Sequence, residues 1–111
     1  MAARARRIVV GYDGSEASQR ALDAAADLVG YGSTLAVVSV QDGPFAHSAA
    51  SQARTRLQER HVQAVYHERV GEPASRLVET AVQVGADLVV VGGPAGATVL
   101  GQAPCDVLVV R

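Results

Sequence analysis

The stretch that decides the fold is Ile8-Val9-Val10-Gly11-Tyr12-Asp13-Gly14-Ser15, a short apolar run that ends at an Asp-Gly turn. A continuous apolar run of this length is typical of a parallel strand that is buried on both faces. Ser15 is a good helix N-cap and Glu16 suits a first helical turn, so we predict a helix from here to a C-cap at Gly30. A strand followed by a helix is the first half of a βαβ unit.

The rest of the chain repeats this alternation. Further strands are predicted at 34–40, 62–70, 87–91 and 106–110, and further helices at 48–60 and from Pro73 to Gly85. Residues 62–70 mix polar and apolar side chains, which favours a sheet edge. Five strands separated by helices predict an α/β fold, a three-layer sandwich around one parallel sheet with right-handed crossovers. No linker interrupts the pattern, so we expect residues 1–111 to form one domain.

Composition excludes several functions. The formal net charge is −1, which provides no general attraction for nucleic acid or for an anionic membrane. All ten basic residues are arginine. Without lysine the chain has no Walker-type phosphate loop, no Schiff-base lysine and no lysine general base.

The single cysteine and the apolar runs indicate the compartment. Cys105 has no partner for an intrachain disulfide, as expected in a reducing compartment. The basic N-terminus leads into only three apolar residues, too few for a signal-peptide core. No apolar run approaches the roughly 18 residues of a transmembrane helix. A cytoplasmic location is therefore expected.

Four segments carry a family resemblance. They are Val9-Val10-Gly11-Tyr12-Asp13-Gly14-Ser15, Gly71-Glu72-Pro73-Ala74, Gly85-Ala86-Asp87-Leu88-Val89-Val90-Val91-Gly92 and Ala103-Pro104-Cys105-Asp106-Val107-Leu108-Val109-Val110. In this order they resemble a universal stress protein domain, and the match spans nearly the whole chain. The resemblance implies a stress-response role, a five-stranded parallel sheet of order 3-2-1-4-5 with an adenine nucleotide alpha hydrolase-like fold, frequent homodimers, and in one subgroup a bound ATP.

The resemblance also implies the site residues. Asp13 matches the aspartate that reaches toward the adenosine part of the ligand, where a carboxylate can accept hydrogen bonds from ribose hydroxyls. Val40 matches the position whose backbone borders the base. From the residues alone, an equally good interpretation is that Asp13 only shapes the turn with Gly14 and helps to cap the helix at Ser15. Both interpretations stay open at this point.

The turn after the fourth strand is the second part of the expected site. The nucleotide-binding pattern of the family is Gly-x-x-Gly, nine residues, then Gly-Ser or Gly-Thr. Here Gly92, Gly93 and Gly96 can supply the first half, but nine residues beyond Gly96 the chain has reached Asp106 in the last strand. The second half is absent, and residues 92–105 contain no basic side chain. These glycines form either a tight turn or a weakened site for ATP or AMP, with Mg²⁺ present only when a nucleotide brings it.

Other chemistry is not indicated. His47, His61, His67 and Cys105 show no paired-ligand spacing, so no metal site is predicted. No Gly-x-Ser-x-Gly elbow exists, and no catalytic residue is assigned. We therefore predict a binding or regulatory module and not an enzyme. The alternatives are a genuine ATP- or AMP-binding stress-response protein and an interaction module with a vestigial pocket.

The shortened crossover before the last strand predicts a partner. Residues 97–103 can form no more than about two helical turns. We therefore expect apolar side chains to remain partly bare on that side of the sheet, among them Val89, Val91, Val107 and Val109. The last strand would also be an open apolar edge. A homodimer in which the two last strands pair through Val107, Leu108, Val109 and Val110 would cover the bare apolar side chains and the open strand edge.

Overall fold

A computed structural model describes residues 6–30, 32–41, 47–93 and 95–111. Strands and helices alternate through it. They are β1 (Arg7–Gly11), α1 (Glu16–Leu28), β2 (Thr34–Gln41), α2 (His47–Glu59), β3 (Val65–Val70), α3 (Pro73–Val84), β4 (Leu88–Gly92), α4 (Ala95–Gln102) and β5 (Asp106–Val110). The predicted third strand is shorter than expected and begins at Val65. Helix α1 ends at Leu28 with Val29 as its C-cap, so the prediction of a C-cap at Gly30 was wrong.

The sheet has the predicted order, β3-β2-β1-β4-β5. Every neighbouring pair is parallel, including β4 with β5, where Val90 lies opposite Leu108. The β4–β5 crossover, residues 93–105, is long enough for the dozen or so residues that a parallel connection requires. The prediction of an α/β sandwich with a 3-2-1-4-5 sheet is confirmed.

Each face of the sheet carries its own core because strand residues point alternately to opposite sides. Helices α1 and α2 cover Ile8, Val10 and Val90, whereas α3 and α4 cover Val9 and Val89. In the two central strands these valines are completely buried. This explains why β1 and β4 read as unbroken apolar runs in the sequence.

Helix α4 is short, yet it covers more of the sheet than we expected. Val89 is fully buried and Val91 is 4% exposed, so the prediction that both remain partly bare was wrong. Val99 of α4 is fully buried in the same core. Gly96 allows this close approach, because a Cβ there would lie 2.6 Å from Cγ1 of Val109. Exposed apolar side chains remain at this end on the edge strand, with Leu108 38% and Val109 40% exposed, and on α4 itself, where Leu100 is 58% exposed.

The structure confirms the predicted N-cap at Ser15 and adds a C-cap at Gly85. Ser15 accepts a hydrogen bond from the N–H of Ser18 at the start of α1. At the end of α3, Gly85 has a left-handed backbone, with φ of 68°, which glycine adopts readily. Among the described residues, no helix is both long and apolar enough to cross a membrane.

Candidate functional site

A crevice lies beyond the carboxyl ends of β1 and β4, the point where strand order reverses. This is where ligands bind in open parallel sheets. Its walls come from β1, β2, β4 and the first turns of α1 and α3: Gly11, Tyr12, Asp13, Ser18, Val38, Val40, Pro73, Ala74, Leu77, Val91 and Gly92. The cavity measures about 80 Å³. Small-molecule clefts hold roughly 300–1,000 Å³, so a nucleoside-sized ligand would be partly enclosed here and would extend over the rim.

Asp13 lies at the rim and also shapes the turn. Its Oδ1 accepts a hydrogen bond of 2.9 Å from the N–H of Ser15, and its own N–H donates to Oγ of Ser18. Burial by itself would raise the pKa of Asp13, but the hydrogen bonds from Ser15 and Ser18 and from its own backbone together outweigh it, and the pKa lies below its ordinary value. Asp13 therefore shapes the turn, as one interpretation of the sequence had it, and it also lines the crevice; its contact with a ligand stays a prediction.

The floor of the crevice is built by close packing. Tyr12 continues the β1 ladder, since its N–H donates to the carbonyl oxygen of Val38 at 2.9 Å. Gly11 lets α3 approach, because a Cβ there would lie 3.0 Å from Cδ2 of Leu77. Val40 also lines the wall; it lies two residues after Val38 in β2, so the two side chains are on the same face of the strand. The resulting surface is more apolar than polar.

Gly92 lines the crevice, but its lack of a side chain serves packing against α1. A Cβ at this position would lie 2.2 Å from the carbonyl oxygen of Ala17 and 3.2 Å from the nitrogen of Ser18. Backbone atoms cannot give way as the end of a flexible side chain can. Any residue other than glycine would therefore push α1 away from β4.

Gly93 and Gly96 are not among the residues that line the crevice. The N–H of Gly93 donates to the carbonyl oxygen of Val110 at 3.4 Å, and the N–H of Gly96 donates to that of Gly93 at 3.2 Å. Gly93 also has a positive φ of 74°, which a tight turn requires. Pro94 of this turn lies outside the described residues. Two of the backbone donors expected to hold phosphate are thus engaged within the protein.

Glu72 was missed as a feature of the site. Its carboxylate caps α3 by accepting hydrogen bonds from the N–H groups of Ala74 at 3.2 Å and Ser75 at 2.8 Å. The hydrogen bonds from Ser75 hold the pKa of Glu72 below its ordinary value. Pro73 and Ala74 belong to the crevice wall, and Glu72, which precedes them in the sequence, does not line it. An acidic residue directly before a proline at the first helical position was the available signal.

The sequence also gave no indication of how α2 is fixed to α1. Arg56 forms two hydrogen bonds with the carboxylate of Asp23, at 2.9 and 2.7 Å, and Arg60 pairs with Asp27. Arg54 stacks over the ring of Tyr66, 4.4 Å from its centre. These arginines connect α2 and the residue after it to α1 and to β3.

His67 and Cys105, two of the residues considered for a metal site, lie toward opposite edges of the sheet. Within the described part of the chain, no group of three or more His, Cys, Asp or Glu side chains converges. His67 lies on the edge strand β3, where its Nδ1 is 3.3 Å from Nη2 of Arg69. Cys105 is half-buried at the opposite edge of the sheet, and burial raises the pKa of its thiol.

Fold and crevice together define the class: an α/β protein with the adenine nucleotide alpha hydrolase-like arrangement of strands and helices. A model of the universal stress protein family matches residues 4–56 and 44–111. The chain belongs to the universal stress protein family.

Several solved structures resemble the chain over nearly its full length. A protein from Mycobacterium tuberculosis H37Rv is 31% identical, with a TM-score of 0.72, and the match covers 99% of this chain and 98% of that one. A universal stress protein solved in complex with cAMP is 28% identical, with a TM-score of 0.75, and the match covers 96% and 97%. A universal stress protein from Archaeoglobus fulgidus in complex with dAMP, 21% identical over 97% and 98% with a TM-score of 0.80, shares the fold. A search of curated proteins finds no match.

Proposed function

We propose that this universal stress protein is a binding or regulatory module that holds an adenine nucleotide weakly in the crevice, acts without catalysis, and works as a homodimer. The observation that carries the ligand proposal is the crevice itself. It brings Asp13, Val40 and Gly92, distant in sequence, to one place at the switch point of the sheet. The similar protein solved with cAMP supports an adenine ligand of this kind.

Each residue has a role in this proposal. The carboxylate of Asp13 accepts hydrogen bonds from ribose hydroxyls, the backbone near Val40 borders the base, and Gly92 forms the floor. The phosphates receive little support, because Gly93 and Gly96 use their N–H groups internally. Mg²⁺ enters only with the nucleotide. The alternative, a tight ATP or AMP binder, requires donors that these glycines do not offer.

Titration calorimetry with AMP and with cAMP tests the ligand proposal. Asp13→Asn keeps an oxygen that can accept the Ser15 hydrogen bond but removes the negative charge, and charge-assisted hydrogen bonds are roughly twice as strong as neutral ones. We expect this substitution to weaken binding about tenfold, or ~1.4 kcal/mol. Asp106→Asn is the matched control, since Asp106 is exposed at the start of β5, at the amino end of the strands and away from the crevice. Equal affinity in both variants would remove Asp13 from the site, and micromolar or tighter ATP binding would favour the alternative.

The proposed homodimer rests on the free edge of β5. Leu108 and Val109 are exposed on opposite faces of this strand, and monomers usually protect such an apolar edge. Two copies that pair β5 with β5 about a two-fold axis would satisfy the open backbone groups and cover both side chains.

Light scattering at micromolar concentration tests the dimer. We expect a dimeric mass for the unmodified chain and a monomeric mass for Leu108→Glu. Val65→Glu is the control, because Val65 is 61% exposed on β3 at the other edge of the same sheet. A monomeric mass for the unmodified protein refutes the dimer, and a dimer that survives Leu108→Glu places the contact elsewhere.

A further inference from the structure

The two edges of the sheet present different surfaces to another copy of the protein. The edge strand β5 carries only apolar side chains from Val107 to Val110. The other edge strand, β3, has His67, Glu68 and Arg69 at its centre. Within the described part of the chain, each of these strands has a neighbour on one side only. The open side of such a strand offers backbone N–H and C=O groups with which another strand can pair.

Two arginines occupy carbonyl oxygens of β3. Nε of Arg76 donates to the carbonyl oxygen of Val70 at 2.8 Å, and Nη1 of Arg69 donates to that of Glu68 at 3.4 Å. The contact of Arg76 is the shorter and therefore the stronger of the two. Glu68 and Val70 are alternate residues of one strand, so their carbonyl groups point to the same side. An incoming strand must compete with the guanidinium groups for these oxygens.

Further contacts hold both arginines at the edge. Nη1 of Arg76 donates to Oε2 of Glu79 at 2.8 Å. Gly71 leaves room for this side chain, because a Cβ there would lie 2.7 Å from Nε of Arg76. Nη2 of Arg69 donates to Oε1 of Gln83 at 3.4 Å. Ordering a long arginine side chain costs rotamer entropy, and these additional hydrogen bonds offset part of that cost.

The side chains of β3 also disfavour pairing with a second β3. Two edge strands related by a two-fold axis pair antiparallel, and residues that lie opposite each other share a face of the joined sheet. With the axis at Glu68, two carboxylates lie opposite each other and Arg69 lies opposite His67. With the axis at His67, two imidazoles lie opposite each other and Arg69 lies opposite Val65. Neither register joins opposite charges, and like charges placed directly opposite are destabilising.

We infer that Arg69 and Arg76 block the β3 edge, so that copies of this protein can associate through β5 but cannot add to β3. Without the two arginines each copy would have two open edges. Pairing at both edges would build an open filament, whereas pairing at β5 alone stops at two copies. This block goes beyond the proposed function, because it needs no nucleotide and would act in a monomer as well as in a dimer.

The test is a double variant, Arg69→Ala with Arg76→Ala, studied by sedimentation velocity from micromolar to millimolar concentration. The two substitutions remove both guanidinium contacts to the carbonyl groups of β3. We expect the weight-average mass to rise with concentration and to exceed that of the parent about twofold or more. The reference is the measured mass of the parent, so the result does not depend on whether the parent is a dimer.

Arg54→Ala is the matched control. Arg54 stacks over the ring of Tyr66 in the same strand, so its removal also takes a positive charge from β3 but leaves both carbonyl contacts in place. We expect this variant to keep the mass of the parent. Amide hydrogen exchange locates the new contact, since N–H groups of residues 65–70 should exchange more slowly in the associated double variant than in the parent.

Three outcomes overturn the block. The first is a double variant that keeps the mass of the parent at every concentration. The second is equal association of Arg54→Ala, because loss of charge alone would then explain the effect. The third is association without added protection of residues 65–70, because the contact would then lie elsewhere. If urea unfolding shows that the double variant is not folded, Arg76→Met, which keeps an unbranched side chain without a donor, is judged by the same outcomes.

Discussion

Replacing Gly92 with alanine tests the packing of α1 against β4. The added Cβ would lie 2.2 Å from the carbonyl oxygen of Ala17 and 2.6 Å from its carbonyl carbon. Ordinary contact begins near 3.4 Å, so the N-terminal turn of α1 would have to move by about 1 Å. Overpacking of a core typically costs 1–3 kcal/mol, and since backbone must move here we expect about 3 kcal/mol for Gly92→Ala.

Urea unfolding followed by far-UV circular dichroism, at one fixed protein concentration, measures this loss. Gly101→Ala in α4 is the matched control, because a Cβ there meets nothing within 4 Å and alanine is the better helix former. We expect the control to stabilise the protein by about 0.5–1 kcal/mol. The packing argument would be refuted if the free energy of unfolding of Gly92→Ala lay within about 0.5 kcal/mol of that of the parent. Gly92 would then be explained by the close approach of a ligand to the backbone.

The remaining predictions concern caps and charges. Ser15→Ala should cost about 1 kcal/mol in urea unfolding, since it removes the side-chain acceptor at the start of α1, and unchanged stability would contradict the cap. The hydrogen bonds from Arg56 lower the pKa of Asp23, so their contribution is present above the unfolded pKa of about 4 and is lost as pH falls through the folded value. The difference in unfolding free energy between the parent and Asp23→Asn should therefore shrink as the pH is lowered from 7 to 3. A difference that stays constant would show that the negative charge of Asp23 does not contribute to stability. Arg56→Lys should behave like Asp23→Asn, because lysine cannot form the two-bond contact.

The sequence was sufficient for the architecture because the decisive interactions are local or periodic. The apolar runs of β1 and β4 predicted central, doubly buried strands, and both are buried. The resemblance supplied the strand order, which the structure confirms. It also gave Asp13 and Val40, which both line the crevice, and their contact with a nucleotide stays a prediction.

What the sequence could not supply depends on contacts between distant residues. From the sequence, Gly92 is expected to be a glycine of the ligand-binding turn. Its packing role follows only from the structure, in which the backbone of Ala17 lies close to it. The pairing of Asp23 with Arg56 spans 33 positions and has no local signature. Burial of Val89 and Val91 depends on how closely a small-residue helix can lie on the sheet, which helix length alone did not predict.

The central claim is that an adenine ligand occupies the crevice between β1 and β4. The most direct measurement is a titration of isotopically labelled protein with AMP, followed through its backbone amide signals by NMR. The account predicts that the largest shifts fall on crevice residues such as Gly11, Asp13, Val40 and Ala74. Shifts confined to the groove between α1 and α2, at Gln19 and Gln52, or no shifts at millimolar AMP, would contradict it.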